Sequence, residues 1–284
     1  MGITLAILAA LTWAIGDFSI ERTSRKTSSL AAVLYISLFA ALAYLPFAWH
    51  RIAPAFAEHT LLLLGTGAVF AFSLCFDVLA LKTGKISVVE PICAFEVPIT
   101  ALFAFLILGE RLTAYQDLLV AFMVGGIFLV SVTDFSVFKK IHTEPGAWFA
   151  LVATVGMGLA NFLFAQGARV TTPFVMNWSA NLAVLACIGG FLLIKRRLGL
   201  SLKQASAHKG LVGVTVLADN LSWLFYTYAA LYVPIAIAIG ISESYIVLAA
   251  FLGFVYNKER LRPHQAIGMG MCVAAVIFLS LTVR

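Results

Sequence analysis

Six carboxylic side chains stand in an otherwise apolar chain without an obvious counter-charge: Asp17, Asp77, Glu90, Glu96, Asp219 and Glu243. Each falls inside a hydrophobic run. No Lys or Arg shares those runs, although Lys82 and Lys85 stand just beyond the end of one. A charge at the centre of a membrane helix costs about 2.5–3.5 kcal/mol on insertion scales. Six unpaired carboxylates would be a severe load, so some must be protonated, near a span end or facing a wet cavity. A carboxyl in such a place is suited to taking up and releasing a proton or to holding a cation. Glu90 and Glu96 share their run with Pro91 and Pro98. Proline removes a backbone donor and kinks a helix, which opens carbonyls beside a cavity. Six positions on a helix leave the two acids about 120° apart, on one wide face but not at one point. Glu96 is the candidate central proton or cation site, with Glu90 nearer the mouth. The competing reading is a structural carboxyl bonded to Ser or Tyr of a neighbouring helix.

Two of the acids have an aromatic residue one helical turn away: Asp219 with Trp223, and Asp17 with Trp13. A carboxylate beside a ring face suits a cationic or amine ligand, whereas Trp near a span end more often anchors the helix at the interface. Glu243 lies in Gly240-Ile241-Ser242-Glu243-Ser244-Tyr245, where Gly and Ser also allow close helix packing. Asn177 and Asn181 share one face, four residues apart, and Asn161 and Gln166 lie on the preceding run. Interhelical hydrogen bonding and solute binding are both open to these amides. The candidate solute- or ion-binding set is thus Glu96, Glu90, Glu243, Asp219, Trp223, Asp17, Trp13, Asp77, Tyr245, Asn177 and Asn181. No metal or cofactor is expected. Cys75, Cys93, Cys187 and Cys272 are scattered in apolar runs, no CxxC pair exists, and all five His residues lie in loops or at span ends.

The elements that must position these residues are membrane helices. The 284 residues are 62% hydrophobic and 11% charged, with a mean hydropathy of +1.01. Soluble domains carry about a quarter charged residues. At roughly 20 residues per span, the apolar runs give ten spans, at about 2–20, 30–49, 61–81, 86–108, 114–132, 146–166, 173–194, 210–231, 235–256 and 263–283. Membrane strands would alternate in polarity, and runs such as 101–108 do not. The fold class is therefore all-α and membrane-embedded. The first run, from Met1, reads as an uncleaved span, because no basic leader precedes it. Thr113 with Gln116 forms a capping box and starts a helix; Pro263 starts another. The charge of +6 reads as loop topology, since nucleic-acid binding needs a basic face on a folded domain.

The stretch Leu108-Gly109-Glu110-Arg111-Leu112-Thr113-Ala114-Tyr115-Gln116 has an echo in Asn257-Lys258-Glu259-Arg260-Leu261-Arg262-Pro263-His264-Gln265. Glu, Arg, Leu and Gln recur at an offset of 149 residues. The stretch Ala80-Leu81-Lys82, then Ile86-Ser87-Val88, echoes Ala230-Leu231-Tyr232, then Ile235-Ala236-Ile237 less closely. The chain divides into two repeats, 1–137 and 138–284. Five spans per repeat is odd, so the second copy enters the membrane from the opposite side. Inverted repeats underlie alternating access in many secondary transporters, with the site near the midplane. The offset places Glu243 at the level of Ala94, close to Glu96 in depth.

With these features the sequence resembles the drug/metabolite transporter superfamily, in its ten-helix EamA-like branch. The resemblance rests on the opening Leu8-Ala9-Ala10-Leu11-Thr12-Trp13-Ala14-Ile15-Gly16. It rests also on the stretch from Ala80 through Glu90-Pro91 to Pro98, and on the duplicated Glu-Arg-Leu turn with its trailing Gln. It covers essentially the whole chain. It implies transport of a small organic solute, such as an amino acid, another metabolite or a drug, through a central cavity, and a bacterial inner membrane. The second copy departs from the first in having Asn257-Lys258 for Leu108-Gly109 and in lacking a partner for Pro98, so unequal parts in the motion are expected.

Of the 19 Lys and Arg residues, 15 fall in the loops after the odd-numbered spans. That bias puts both termini outside the cytoplasm, whereas the resemblance implies both inside. The leading function is a secondary transporter, an exporter or exchanger by alternating access, of a small organic solute. A cationic solute and an amino acid are both candidates, protons are a candidate coupling ion, and lipid is the surrounding partner. No GxxxxGK[ST] loop is present, which argues against ATP drive from this chain. The alternatives are a receptor or assembly subunit that binds without transport, and an intramembrane enzyme. The last would need a nucleophile or metal constellation that the runs do not carry.

Overall fold

The computed structural model describes residues 1–133, 135, 144–257 and 262–282. The second Glu-Arg-Leu turn, Glu259-Arg260-Leu261, and most of the polar connection 134–145 lie outside the described residues. Everything regular among those residues is helical. In chain order the helices are α1 (Gly2–Lys26), α2 (Ser29–Ala43), α3 (Leu45–Thr83), α4 (Ile86–Cys93), α5 (Glu96–Leu108) and α6 (Ala114–Ser131). They continue as α7 (Pro145–Val170), α8 (Pro173–Ile194), α9 (Leu198–Ala207), α10 (Lys209–Ala229), α11 (Ile235–Glu243), α12 (Tyr245–Asn257) and α13 (Pro263–Thr282).

Among the described residues, seven segments are long and apolar enough to cross a membrane: Gly2–Lys26, Leu45–Thr83, Ser87–Leu108, Ala114–Ser131, Pro145–Val170, Pro173–Ile194 and Pro263–Thr282. Ser29–Ala43 and Ile235–Phe251 are apolar but shorter. Local chemistry sets many of the ends. Ser28 caps α2 by accepting from the Ala31 N–H, and Thr172 caps α8 by accepting from Val175. Thr113 and Gln116 form the expected reciprocal capping box on α6. Gly109 ends α5 in the left-handed region at φ 65°, where a Cβ would be strained.

Three departures from the expected spans have physical causes. Span two stops at Ala43, and the chain re-enters a helix at Leu45 with Pro46 in its first turn. The long α3 is two helices joined at His59, whose φ of −129° and ψ of 29° are not helical. Its first part, with exposed Phe47 and Trp49 beside His50 and Arg51, has the composition of an interfacial helix. A short helix, α9, occupies what hydropathy alone marks as a loop.

Helix packing is reciprocal between the halves. α1 lies against α10, and α3 against α7; α2 packs on α8, and α6 on α13. α6 and α13 run antiparallel: Gln116 at the start of α6 reaches Thr282 at the end of α13 (3.4 Å), while Gln265 at the start of α13 reaches the Val130 carbonyl at the end of α6 (3.0 Å). Gly126 and Gly268 bring the two backbones together there; a Cβ on Gly268 would sit 2.6 Å from the Gly126 carbonyl oxygen. Close small-residue crossings of this kind let membrane helices associate by van der Waals contact, since lipid supplies no hydrophobic drive.

Candidate functional site

Two helices of matching place are broken at matching positions. The helix expected over 86–108 divides into α4 and α5 at Ala94-Phe95, and that over 235–256 divides into α11 and α12 at Ser244. Phe95 and Ser244 are related by the 149-residue offset. In the first break Pro98 is responsible: it offers no N–H to the Ala94 carbonyl, and its ring crowds that carbonyl. The second break has no proline. There the Ser244 hydroxyl donates to the Ile241 carbonyl at 2.6 Å, and the Ser244 N–H is divided between Gly240 and Ile241. Side-chain bonds of this type compete with the helix. The two segments differ in the cause of the break and share the break itself.

The six acids converge on these breaks from both halves. Glu96 opens α5 and Glu243 closes α11. Asp17 comes from α1, Asp77 from α3, Glu90 from α4 and Asp219 from α10. Glu96 lies close enough to Glu243, Asp77 and Glu90 to feel their charge, and Asp17 is in the same relation to Asp77. Glu90, Glu243 and Asp219 each feel Asp17. The Tyr245 hydroxyl interacts with the Asp17 carboxyl. None of the six is ion-paired: the ion pairs among the described residues are Arg25–Glu21, His59–Glu58, Lys85–Glu144 and Arg169–Glu110. Deep as they are in the bundle, none is fully covered. Asp17 is exposed and the other five are half-buried.

An aromatic wall stands beside them. Trp13 and Trp223 meet edge to face with centroids 5.3 Å apart, and Trp13 also approaches Tyr226 (6.0 Å) and Tyr245 (6.1 Å). Trp223 packs on Phe164 at 4.5 Å and Phe70 at 5.1 Å. Both tryptophans are buried within the bundle, so neither is an interfacial anchor. Gly16 lets the Asp219 backbone come close to α1, bringing Asp17 and Asp219 onto facing helices.

Asn161 completes this region. Its backbone carbonyl accepts from the buried Tyr226 hydroxyl at 2.8 Å. Its buried amide has no partner at hydrogen-bond geometry, although the Glu96 carboxyl is near enough to interact with it. Asn177 and Asn181 make their contacts elsewhere. Asn177 donates to the Pro173 carbonyl and to Thr227 of α10 at 3.0 Å, and Asn181 donates to the Asn177 carbonyl. Among the described residues no group of His, Cys, Asp and Glu is arranged to hold a metal ion.

Sequence reasoning missed Tyr226 and, apart from the acids, the pair of Glu110 with Arg169. Arg169 donates to the Ala230 and Val233 carbonyls at 2.7 and 3.0 Å and pairs with Glu110 at 3.2 Å. Glu110 also accepts from the Ile235 N–H at 2.8 Å, capping α11. The offset would have found Tyr226, which stands opposite Asp77 as Tyr245 stands opposite Glu96.

No curated protein matches the chain. A solved structure titled only "Crystal structure of protein" is similar over 100% of this chain and 97% of its own, with a TM-score of 0.75 at 15% identity, a likeness of fold. The EamA-like transporter family matches at residues 1–132 and again at 144–281. A multi-pass helical membrane protein matched in both halves, the chain belongs to the EamA-like transporter family, whose members carry small molecules across membranes.

Proposed function

We propose that this protein is a secondary transporter that moves a small, positively charged or zwitterionic organic metabolite by alternating access. Ten crossings carry the chain through the membrane as two inverted five-helix repeats, 1–137 and 138–284. The antiparallel pairing of α6 with α13 supports the inversion. A two-fold axis along the membrane normal would pair equivalent helices in parallel, and an axis in the membrane plane pairs them head to tail. The observation that carries the function is the set of six acids without a paired cation, gathered at two broken helices beside Trp13, Trp223 and Tyr245.

In this reading an amine lies against the ring faces while a carboxylate neutralises it. The C-terminal end of α11, with the last carbonyls of a half-helix beside Glu243, holds the cation or proton. Glu96 is the central exchange site, Glu90 and Asp77 flank it, and Asp17 and Asp219 line the approach. Asn177 braces α8 against α10, Asn181 bonds within α8, and both stay outside the path. The setting is the inner membrane of a bacterium, and the direction is export or exchange. A binding subunit without transport would need no path between two sides, and here acids line the bundle from α1 to α11.

A thermal-shift screen of purified protein against amino acids, amines, nucleosides and sugars tests the assignment. Amines or amino acids raise the melting temperature of the wild type, and Glu96→Gln loses that rise. Stabilisation by acidic solutes alone contradicts the reading.

A further inference from the structure

A cavity lined by the opposite charge lies apart from the six acids. It has a volume of about 930 Å³ and opens between the end of α1, the start of α2, and the ends of α3 and α8, with α9 across it. Lys82, Lys195 and Arg197 line it with Ser24, Thr27 and Gln204, and no carboxylate does. None of the three cations is ion-paired among the described residues.

Two features concentrate positive potential there. α8 ends in a Schellman turn, in which Arg197 N–H donates to the Leu192 carbonyl at 2.8 Å and Arg196 N–H to that of Leu193 at 2.9 Å. Its left-handed position is held by Arg196 at φ 55°, where glycine is the unstrained choice. The turn delivers Lys195 and Arg197 to one cavity. Opposite them, the first turn of α2 lines the cavity through Ser29 and Leu30. The first N–H groups of a helix have no partner within it and favour an anion. α9 is pinned in place by the Tyr35 hydroxyl, which donates to the Ser201 carbonyl at 2.6 Å.

The cavity also has an apolar lip. Phe191 and Leu200 line it while remaining exposed, and Leu193 and Ile194 continue that exposed surface at 64% and 81%. A site for a free anion has no use for a lip of this kind. A lipid has its phosphate at the depth of span-end lysines and its acyl chain against such side chains.

We propose that this cavity binds the head group of an anionic phospholipid, its phosphate held by Lys82, Lys195, Arg197 and the α2 N-terminus, its chains lying along Phe191 and Leu200. Bound there, the lipid ties α1–α2, α3 and α8–α9 together, segments drawn from both repeats.

Lipid-stripped protein in neutral detergent is titrated with phosphatidylglycerol, phosphatidylcholine or inorganic phosphate, and read by native mass spectrometry and thermal unfolding. Phosphatidylglycerol binds and raises the melting temperature; phosphatidylcholine and inorganic phosphate do not. The triple variant K82Q/K195Q/R197Q binds phosphatidylglycerol on the order of a hundredfold more weakly, about fivefold per basic group. K203Q/K209Q, which removes two basic groups outside the cavity, keeps wild-type binding. Should the triple variant not fold, each single variant carries the roughly fivefold loss. Unchanged binding in these variants overturns the proposal, as do equal binding of phosphatidylcholine and full protection by inorganic phosphate. The assay involves no transported solute, so its outcome is independent of the transport reading.

Discussion

At the residue scale the central feature is a chemical asymmetry laid over a repeat. Under the 149-residue offset, Glu96 and Asp77 of the first half correspond to Tyr245 and Tyr226 of the second. Where one half places a carboxyl, the other places a phenol. The site therefore joins charge to ring faces although the backbone around it is duplicated. In proteoliposomes, Glu96→Gln is expected to reduce proton-linked solute flux to the level of empty vesicles; intact flux would remove Glu96 from the coupling role. Trp223→Ala opens a cavity in the ring cluster and is expected to cost about 3–5 kcal/mol of stability, measured by thermal unfolding, along with the binding of amines. Tyr226→Phe should cost about 0.5–1.5 kcal/mol, the net worth of the one hydrogen bond it removes, since the Asn161 carbonyl keeps its place in the α7 helix. The acids were legible in the sequence because lipid makes an unpaired carboxylate costly wherever it stands. The rings were legible only in part. Trp13 and Trp223 followed from their spacing to acids, but Phe70, Phe164 and Tyr226 look like any other apolar residue until the helices bring them together.

At the element scale the two broken helices decide the geometry. The proline signal marked the first and was silent on the second, where hydroxyl-to-carbonyl bonding has the same effect. Hydropathy alone reads each as one continuous run. Pro98→Ala restores a donor to the Ala94 carbonyl, so it is expected to raise the melting temperature while lowering flux, since a healed helix withdraws carbonyls from the site. An unchanged melting temperature with unchanged flux would show that the break is imposed by its surroundings. Glu110 belongs to the same scale. The Glu-Arg-Leu turn served in the sequence only as a marker of repetition, yet its Glu fastens α11 and holds Arg169 to the segment 230–233. Glu110→Ala removes charge-assisted bonds and is expected to cost about 1.5–3 kcal/mol, again read by thermal unfolding. The interfacial parts, 45–58 and α9, were the least legible elements, because a helix lying at the boundary has neither the length nor the uniform polarity of a span.

At the scale of the whole molecule, the halves pack as an isologous pair: α1 on α10 repeats as α7 on α3, and α6 meets α13 head to tail. Five spans per repeat, the reading proposed from the sequence, would give such a head-to-tail pairing. Which face is cytoplasmic did not follow, because the Lys and Arg bias and the family resemblance point in opposite directions. The account depends on the two repeats entering the membrane from opposite sides, so that the acids lie in a path opened alternately to each. Arg111→Cys and Arg262→Cys test that arrangement directly. Each is placed in a background without the four native cysteines and treated with a membrane-impermeant maleimide in sealed vesicles of one orientation. One site is expected to react at once and the other only after the vesicles are permeabilised. Reaction of both from the same side would contradict the inverted repeats and the alternating path with them.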